Sequence, residues 1–183
     1  MRMITKHIEI TKEDILSGEY DSQYIVDPLW WSVSIYDGKE QYEKDLESFN
    51  TSQRGIFAIL WYSGEVCNGG HDQFLYNSTG IVWEDALKGF EMISADKCAE
   101  NLRDVIKKCG GSIPFDRGER EEMLDRITTD PDNEDESIDL FEENDSVFYD
   151  EEDELENIMM AYIQPHVEDF VFFGDVLVPE SIM

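Results

Sequence analysis

The sequence predicts an all-α or mainly α fold: a single compact multi-helix domain with an acidic C-terminal helical region. Three observations predict it. Apolar residues recur every three or four positions through most of the chain, the spacing that lines one face of a helix. Helix starts (Thr, Ser or Asp) and glycine stops bracket those stretches. No alternation of strand-like and helix-like segments marks a parallel α/β sheet. Hydrophobic residues make up 41% of the 183 residues, enough to build the core of one domain.

The elements follow in order. Residues 1–50 read as a helical lead-in packed on the main domain, which spans 51–170, and an apolar tail covers 171–183. Thr11 is a good N-cap for a short helix starting at Lys12, with Glu13 and Asp14 in its first turn. Asp27-Pro28 reads as N-cap and first helical position for "LWWSVSIYDG", which Gly38 ends. "EQYEKDLESF" continues helically, with Tyr42, Leu46 and Phe49 on one face. The apolar run "IFAILWY" (residues 56–62) is strand or helix by periodicity alone. Its context favours a helix of about 15 residues, capped by Thr51 or Ser52 and stopped at Asn68-Gly69 by a left-handed glycine.

Three later segments are plainer. "VWEDALKGFEMIS" puts Trp83, Leu87, Phe90 and Ile93 on one stripe. "ADKCAENLRDVIKKCGG" does the same with Cys98, Leu102, Val105 and Ile106, and ends in a double-glycine stop. "GEREEMLDRIT" is a further helix after Pro114. Two more helices are expected at about 134–149 and 151–164, each docking an apolar stripe (Phe141, Phe148, Leu155 among them) and turning an acidic face outward. Pro165 ends the second. The tail "VEDFVFFGDVLVPESIM" is apolar and β-branched. It reads as an extended segment or as a surface packed on another protomer.

Charge narrows the function. There are 43 acidic residues against 14 basic ones, a formal net charge of -29. Such a chain repels nucleic acid and anionic membranes, so neither is a direct partner. Its natural partners are basic: a cationic protein face, a polyamine or a divalent metal. The charge is also concentrated, with nineteen acidic and two basic residues between positions 119 and 156. The expected partner-binding face comprises Asp130, Asp132, Glu134, Asp135, Glu136, Asp139, Glu142, Glu143, Asp145, Asp150, Glu151, Glu152 and Asp153. Carboxylates one helical turn apart lie about 5–6 Å from each other. Each strand of duplex DNA presents a phosphate about every 3.4 Å of axis. Two acidic helices could thus imitate part of a phosphate track. The plainer alternative is a solvated face that serves solubility.

Catalytic and metal chemistry find little footing. Three irregularly spaced cysteines make no disulfide framework, and no apolar leader or run of about 20 apolar residues is seen, which predicts a cytoplasmic chain. "VCNGGHDQFLYNSTG" (residues 66–80) brings Cys67 close to His71, a nucleophile–base spacing. Nothing in the sequence orients that pair, so the expectation is a buried structural cysteine and a partly exposed histidine. The histidines are scattered and no Cys-x-x-Cys occurs, so no zinc site is assigned. A calcium-loop reading from Asp132 would use Glu134, Glu136 and Glu143, but Ser137 replaces the required glycine and Leu140 fills a ligand position. No Gly-rich phosphate loop is present. The chain is therefore read as noncatalytic, without metal or cofactor. An enzyme using Asn68, His71, Asp72, Gln73 and Asn77 is the alternative.

The same stretch carries a resemblance. "NGGHDQFLYNSTG" is similar to the signature of a bacterial family typified by a DNA-mimic protein, a pattern of the kind N-G-G-F-x-Q-F-F-x-N-x-x-G. Asn68, Gly69, Gly70, Gln73, Phe74, Asn77 and Gly80 match it. His71 and Leu75 depart from it where aromatic residues are expected. "EDALKGFEMISADKCAENL", a Pro-containing loop, an R-x-x-x-L-D-type helix, an acidic stretch and "LENIMMAYIQPHVEDF" follow in the same order. The resemblance covers about residues 50–170, and the first 45 residues carry none. It implies a mainly helical fold, a homodimer, and an acidic surface that occupies a basic DNA-binding protein such as a transcription regulator. An immunity- or antitoxin-like protein that neutralises a cationic toxin would use the same physics. The signature residues themselves are expected to serve folding.

Overall fold

Strand β1 (Met3–Ile10) opens the chain, so the expected helical lead-in begins as a strand. Its residues alternate, with Ile8 and Ile10 buried and His7 and Glu9 exposed. That period of two spans only a few residues, and the partner strand lies at the far end of the chain. β2 (Phe172–Pro179) pairs antiparallel with β1, Ile4 opposite Val178 and Ile8 opposite Gly174. The extended reading of the tail is the one realised, with Val176 and Val178 in the core and Phe173 and Leu177 outside. The structure, a computed structural model, describes residues 2–129 and 138–180, with backbone only at Pro179.

Four short helices follow: α1 (Lys12–Ser17), α2 (Ser22–Ile25), α3 (Asp27–Ser32) and α4 (Gly38–Leu46). Thr11 caps α1 in a full capping box with Asp14. α3 stops at Ser32, and Gly38, expected to end that helix, instead opens α4.

The central element is α5 (Thr51–Tyr76), capped by Asn50 and Gln53. "IFAILWY" lies within it as helix and buries Ile56, Phe57, Ala58, Ile59 and Tyr62 completely. α6 (Trp83–Met92) crosses α5 where two glycines meet. A Cβ on Gly89 would lie 2.7 Å from the Gly55 carbonyl oxygen. A polar cluster closes this region. The Tyr42 hydroxyl donates to Asp85 (2.8 Å), and Arg54 pairs with both Asp85 (2.7 Å) and Glu43 (2.8 Å).

α7 (Asp96–Lys108), α8 (Arg117–Thr128) and α9 (Glu142–Ile163) complete the helices. α9 replaces the two expected helices at 134–149 and 151–164. No glycine or proline interrupts residues 149–151, so nothing breaks the helix there. The Ile138 amide donates to the Thr128 carbonyl (2.7 Å), which brings the end of α8 near the approach to α9. Among the described residues there are nine α-helices and one two-stranded sheet, a mainly α fold. No helix among them is long and apolar enough to cross a membrane.

Candidate functional site

The acidic helix α9 is held from its inner side, and the stretch at residues 66–80 supplies the grip. α5 breaks at Gly69 and Gly70 before resuming to Tyr76. Gly70, with φ of 72° and ψ of -176°, takes the conformation that only glycine adopts readily. Gly69, expected in that role, has a φ of -166° that any residue accepts. Behind Gly70 stands Asp145 of α9, whose carboxylate a Cβ on Gly70 would overlap.

Asp145 accepts from the His71 backbone amide (2.8 Å) and contacts His71 Nδ1 (2.5 Å). A carboxylate only accepts, so Nδ1 carries the proton. That tautomer leaves Nε2 to accept from the Tyr62 hydroxyl, 2.5 Å away. His71 is fully buried, among the rings of Tyr62 and Phe141. It was expected to be partly exposed, and Cys67, expected to be buried, is exposed. The two do not form a nucleophile–base pair: both His71 nitrogens are engaged elsewhere. Burial and the nearby Glu152 also push the Cys67 thiol up to about 11, away from a reactive thiolate.

Other ties pin α9 along its length. Asn144 and Asn101 of α7 exchange two hydrogen bonds of 2.9 Å. Tyr149 donates to the Val66 carbonyl of α5 (3.1 Å). Glu151 pairs with Lys97 (2.5 Å), and Glu156 accepts from the Ser22 amide and hydroxyl at the start of α2.

The rest of the motif stabilises the second half of α5. Gln73 and Asn77 both donate to Glu65 Oε2 (2.8 and 2.9 Å), bridging the break. Phe74 is buried against Tyr62. Arg120 of α8, 1% exposed, donates to the carbonyls of Leu75 (2.9 Å), Asn77 (2.8 Å), Phe115 (2.7 Å) and Pro114 (3.2 Å). It thereby satisfies carbonyls at the end of α5 that the helix leaves orphaned. Gly80 makes room for it, since a Cβ there would lie 2.6 Å from Arg120 Nε. Burial pulls the guanidinium of Arg120 down to about 10. Asn68 is exposed on the rim of an open cavity beside α5.

The outward side of α9 is of a different kind. At about 100° per residue, Glu142, Glu143, Asp150, Asp153 and Glu154 fall within about 120° of arc. All five are exposed, and the arc lies opposite buried Phe148, Leu155 and Met159. The structure thus divides the acidic residues expected to form one face. Asp139, Glu142, Glu143, Asp150, Glu152 and Asp153 are exposed, Glu152 on a flank beside Cys67. Glu151 is half-buried against Lys97, and Asp145 turns inward to His71, so it does not belong to the face. Asp130, Asp132, Glu134, Asp135 and Glu136 lie outside the described residues, as does most of the calcium-loop reading.

The sequence model of the DMP19-like proteins matches residues 47–166, about two thirds of the chain. The chain belongs to the DMP19-like family. No curated protein and no solved structure matches it. The matched DMP19-like region holds α5 to α9, with both the glycine break and the acidic stripe. β1, α1, α2, α3, α4 and β2 lie outside it. Sequence reasoning missed Arg120, Glu65 and Asn144. A signal for Arg120 was present: it shares the face of Met123, Leu124 and Ile127, a charge where the stripe calls for an apolar residue. Glu65 and Asn144 had none, because their partners lie on other turns or other helices.

Proposed function

We propose that this DMP19-like protein is a noncatalytic DNA mimic that occupies the DNA-binding face of a basic protein through the outer stripe of α9. One observation carries the reading: five exposed carboxylates share one side of a helix whose other side is locked to the core. Glu142 to Glu154 spans about 18 Å of helix axis. One strand of duplex DNA places about five phosphates over that length. The stripe therefore matches a DNA strand in linear charge, and a protein that displaces counterions from DNA would find the same field here. The DMP19-like family supports the reading, as a family of DNA mimics. A dimer, which the family resemblance implies, would carry two such stripes on one particle.

The test is capture of partners from a cell lysate over a salt series. Nucleic-acid-binding proteins are expected at low salt, with affinity falling steeply as salt rises. A variant with Glu142, Glu143, Asp150, Asp153 and Glu154 changed to Gln or Asn is expected to lose them. Recovery of no such protein at low salt, or equal recovery by the variant, would sink the reading. Sedimentation of the free protein reports its oligomeric state.

A further inference from the structure

Beside the glycine break lies an open cavity of about 520 Å³ that the α9 reading does not use. Trp30 of α3 and Trp61 of α5 wall it, their ring centroids 4.3 Å apart and their planes tilted by 54°. Trp61, Glu65 and Asn68 follow one another on one face of α5, and Gln73 and Asn77 close the far side. The two carboxamide N–H groups of Gln73 and Asn77 both point to Glu65 Oε2, so they fix the carboxylate in place. No Lys or Arg lines the cavity, and among the described residues no cation pairs with Glu65. The combination is aromatic rings, an immobilised carboxylate and amide groups, in a volume that holds a small ligand. Indole rings attract a cation over their faces, and a carboxylate adds a charge-assisted hydrogen bond.

We propose that this cavity binds a guanidinium or primary ammonium group carried on an aliphatic stem. The stem would lie along the tryptophans while the head meets Glu65. This goes beyond the α9 stripe and does not depend on it. The two are nonetheless neighbours, because Tyr149 of α9 bonds to Val66, next to Glu65. The chemistry has two sources: a free amine such as agmatine, or an arginine or lysine side chain of a protein.

The indole N–H groups of Trp30 and Trp61 have no acceptor among the described residues, so their resonances report on what enters. The experiment is a titration of the ¹⁵N-labelled protein, following indole cross-peaks. Agmatine and acetyl-arginine-amide serve as probes, and acetyl-citrulline-amide as the neutral isostere. Trp30 and Trp61 are expected to shift with both cations, while Trp31, whose indole donates to Asp27, stays put. Tighter binding of the capped arginine assigns the site to a protein side chain, and tighter binding of agmatine to a free amine. Glu65→Gln is expected to weaken either by about tenfold. Should that variant unfold, Asn68→Lys places a tethered ammonium at the exposed rim and is expected to block both probes. No shift with either cation, equal shifts with the citrulline compound, or full binding by a folded Glu65→Gln or Asn68→Lys protein would overturn the proposal. Failure here leaves lysate capture by α9 unaffected, and failure of that capture leaves this titration unaffected.

Discussion

The two sides of α9 obey different physics. The inner side is fixed by geometry: Asp145 occupies the space a side chain on Gly70 would need, Asn144 faces Asn101, and Phe148 and Leu155 fill the core. The outer side is set by charge, with exposed carboxylates in water; among the described residues only Glu154 of the stripe has a side-chain donor, Asn157 (3.2 Å). A residue's type therefore says little about its role here. Asp145 and Asp153 are both acidic members of one helix, yet one is a core anchor and the other a surface charge. A charged stripe presented on one side of a helix needs a rigid backing on the other, and the two can be broken separately.

The largest effect is expected at the backing. Gly70→Ala would force an L residue into a glycine-only conformation and drive its Cβ into Asp145. Chemical denaturation should show a loss of about 3 kcal/mol, the upper part of the range for such backbone strain. Gly69→Ala should lose about 1 kcal/mol, because its φ suits any residue and the crowding atoms belong to the Gln73 side chain, which can move. Equal losses at the two glycines would contradict the assignment.

That pair also shows what the sequence could and could not disclose. A double glycine amid apolar runs announced an interruption, and the helices on either side followed from their periodicity. Which glycine bears the positive φ depends on Asp145, seventy-five residues away, and no local pattern contains that contact. The strand β1 was hidden for the same reason: its period-two pattern is short, and its partner is β2 at the other end. Arg120 was legible as an oddity on an apolar stripe, but not as a cap for another helix. The acidic stripe was legible as composition. Removing Asp145 from it required knowing where His71 lies.

Asp145→Ala sharpens the comparison next. It leaves the buried N–H groups of His71 without an acceptor, for an expected loss of about 2 kcal/mol. Asp145→Asn keeps an acceptor oxygen and should lose less. Asp153→Asn, on the outer side, should stay within about 0.5 kcal/mol of the parent. A large loss at Asp153 would mean that the outer side is structural too.

Smaller still is the effect of neutralising the stripe. Asp150→Asn, Asp153→Asn and Glu154→Gln together remove mutual repulsion in a chain of net charge -29. They avoid Glu142 and Glu143, which favour the positive end of α9. The melting temperature should rise by about 1–3 °C at low salt, and the gain should shrink as salt screens the charges. A fall would show that these carboxylates hold the helix rather than decorate it.

The finest probe is the thiol of Cys67, which sits where α5 meets the flank of α9. It is exposed, yet partial burial first and Glu152 second push it up to about 11. At pH 8 only about a thousandth of it is thiolate, so alkylation by iodoacetamide should be far slower than for a free cysteine. Cys98 and Cys109 are buried, so the native protein reports Cys67 alone. Glu152→Gln removes a like charge and should raise the rate a few-fold. Because burial is the larger cause, the rate should still fall short of a free thiol. Added salt should mimic the substitution in the parent and do little in the variant. A parent rate equal to that of free cysteine would contradict both causes, and a Glu152→Gln rate equal to the parent's would mean that the field of α9 does not reach α5, leaving the acidic helix electrostatically separate from the core that carries it.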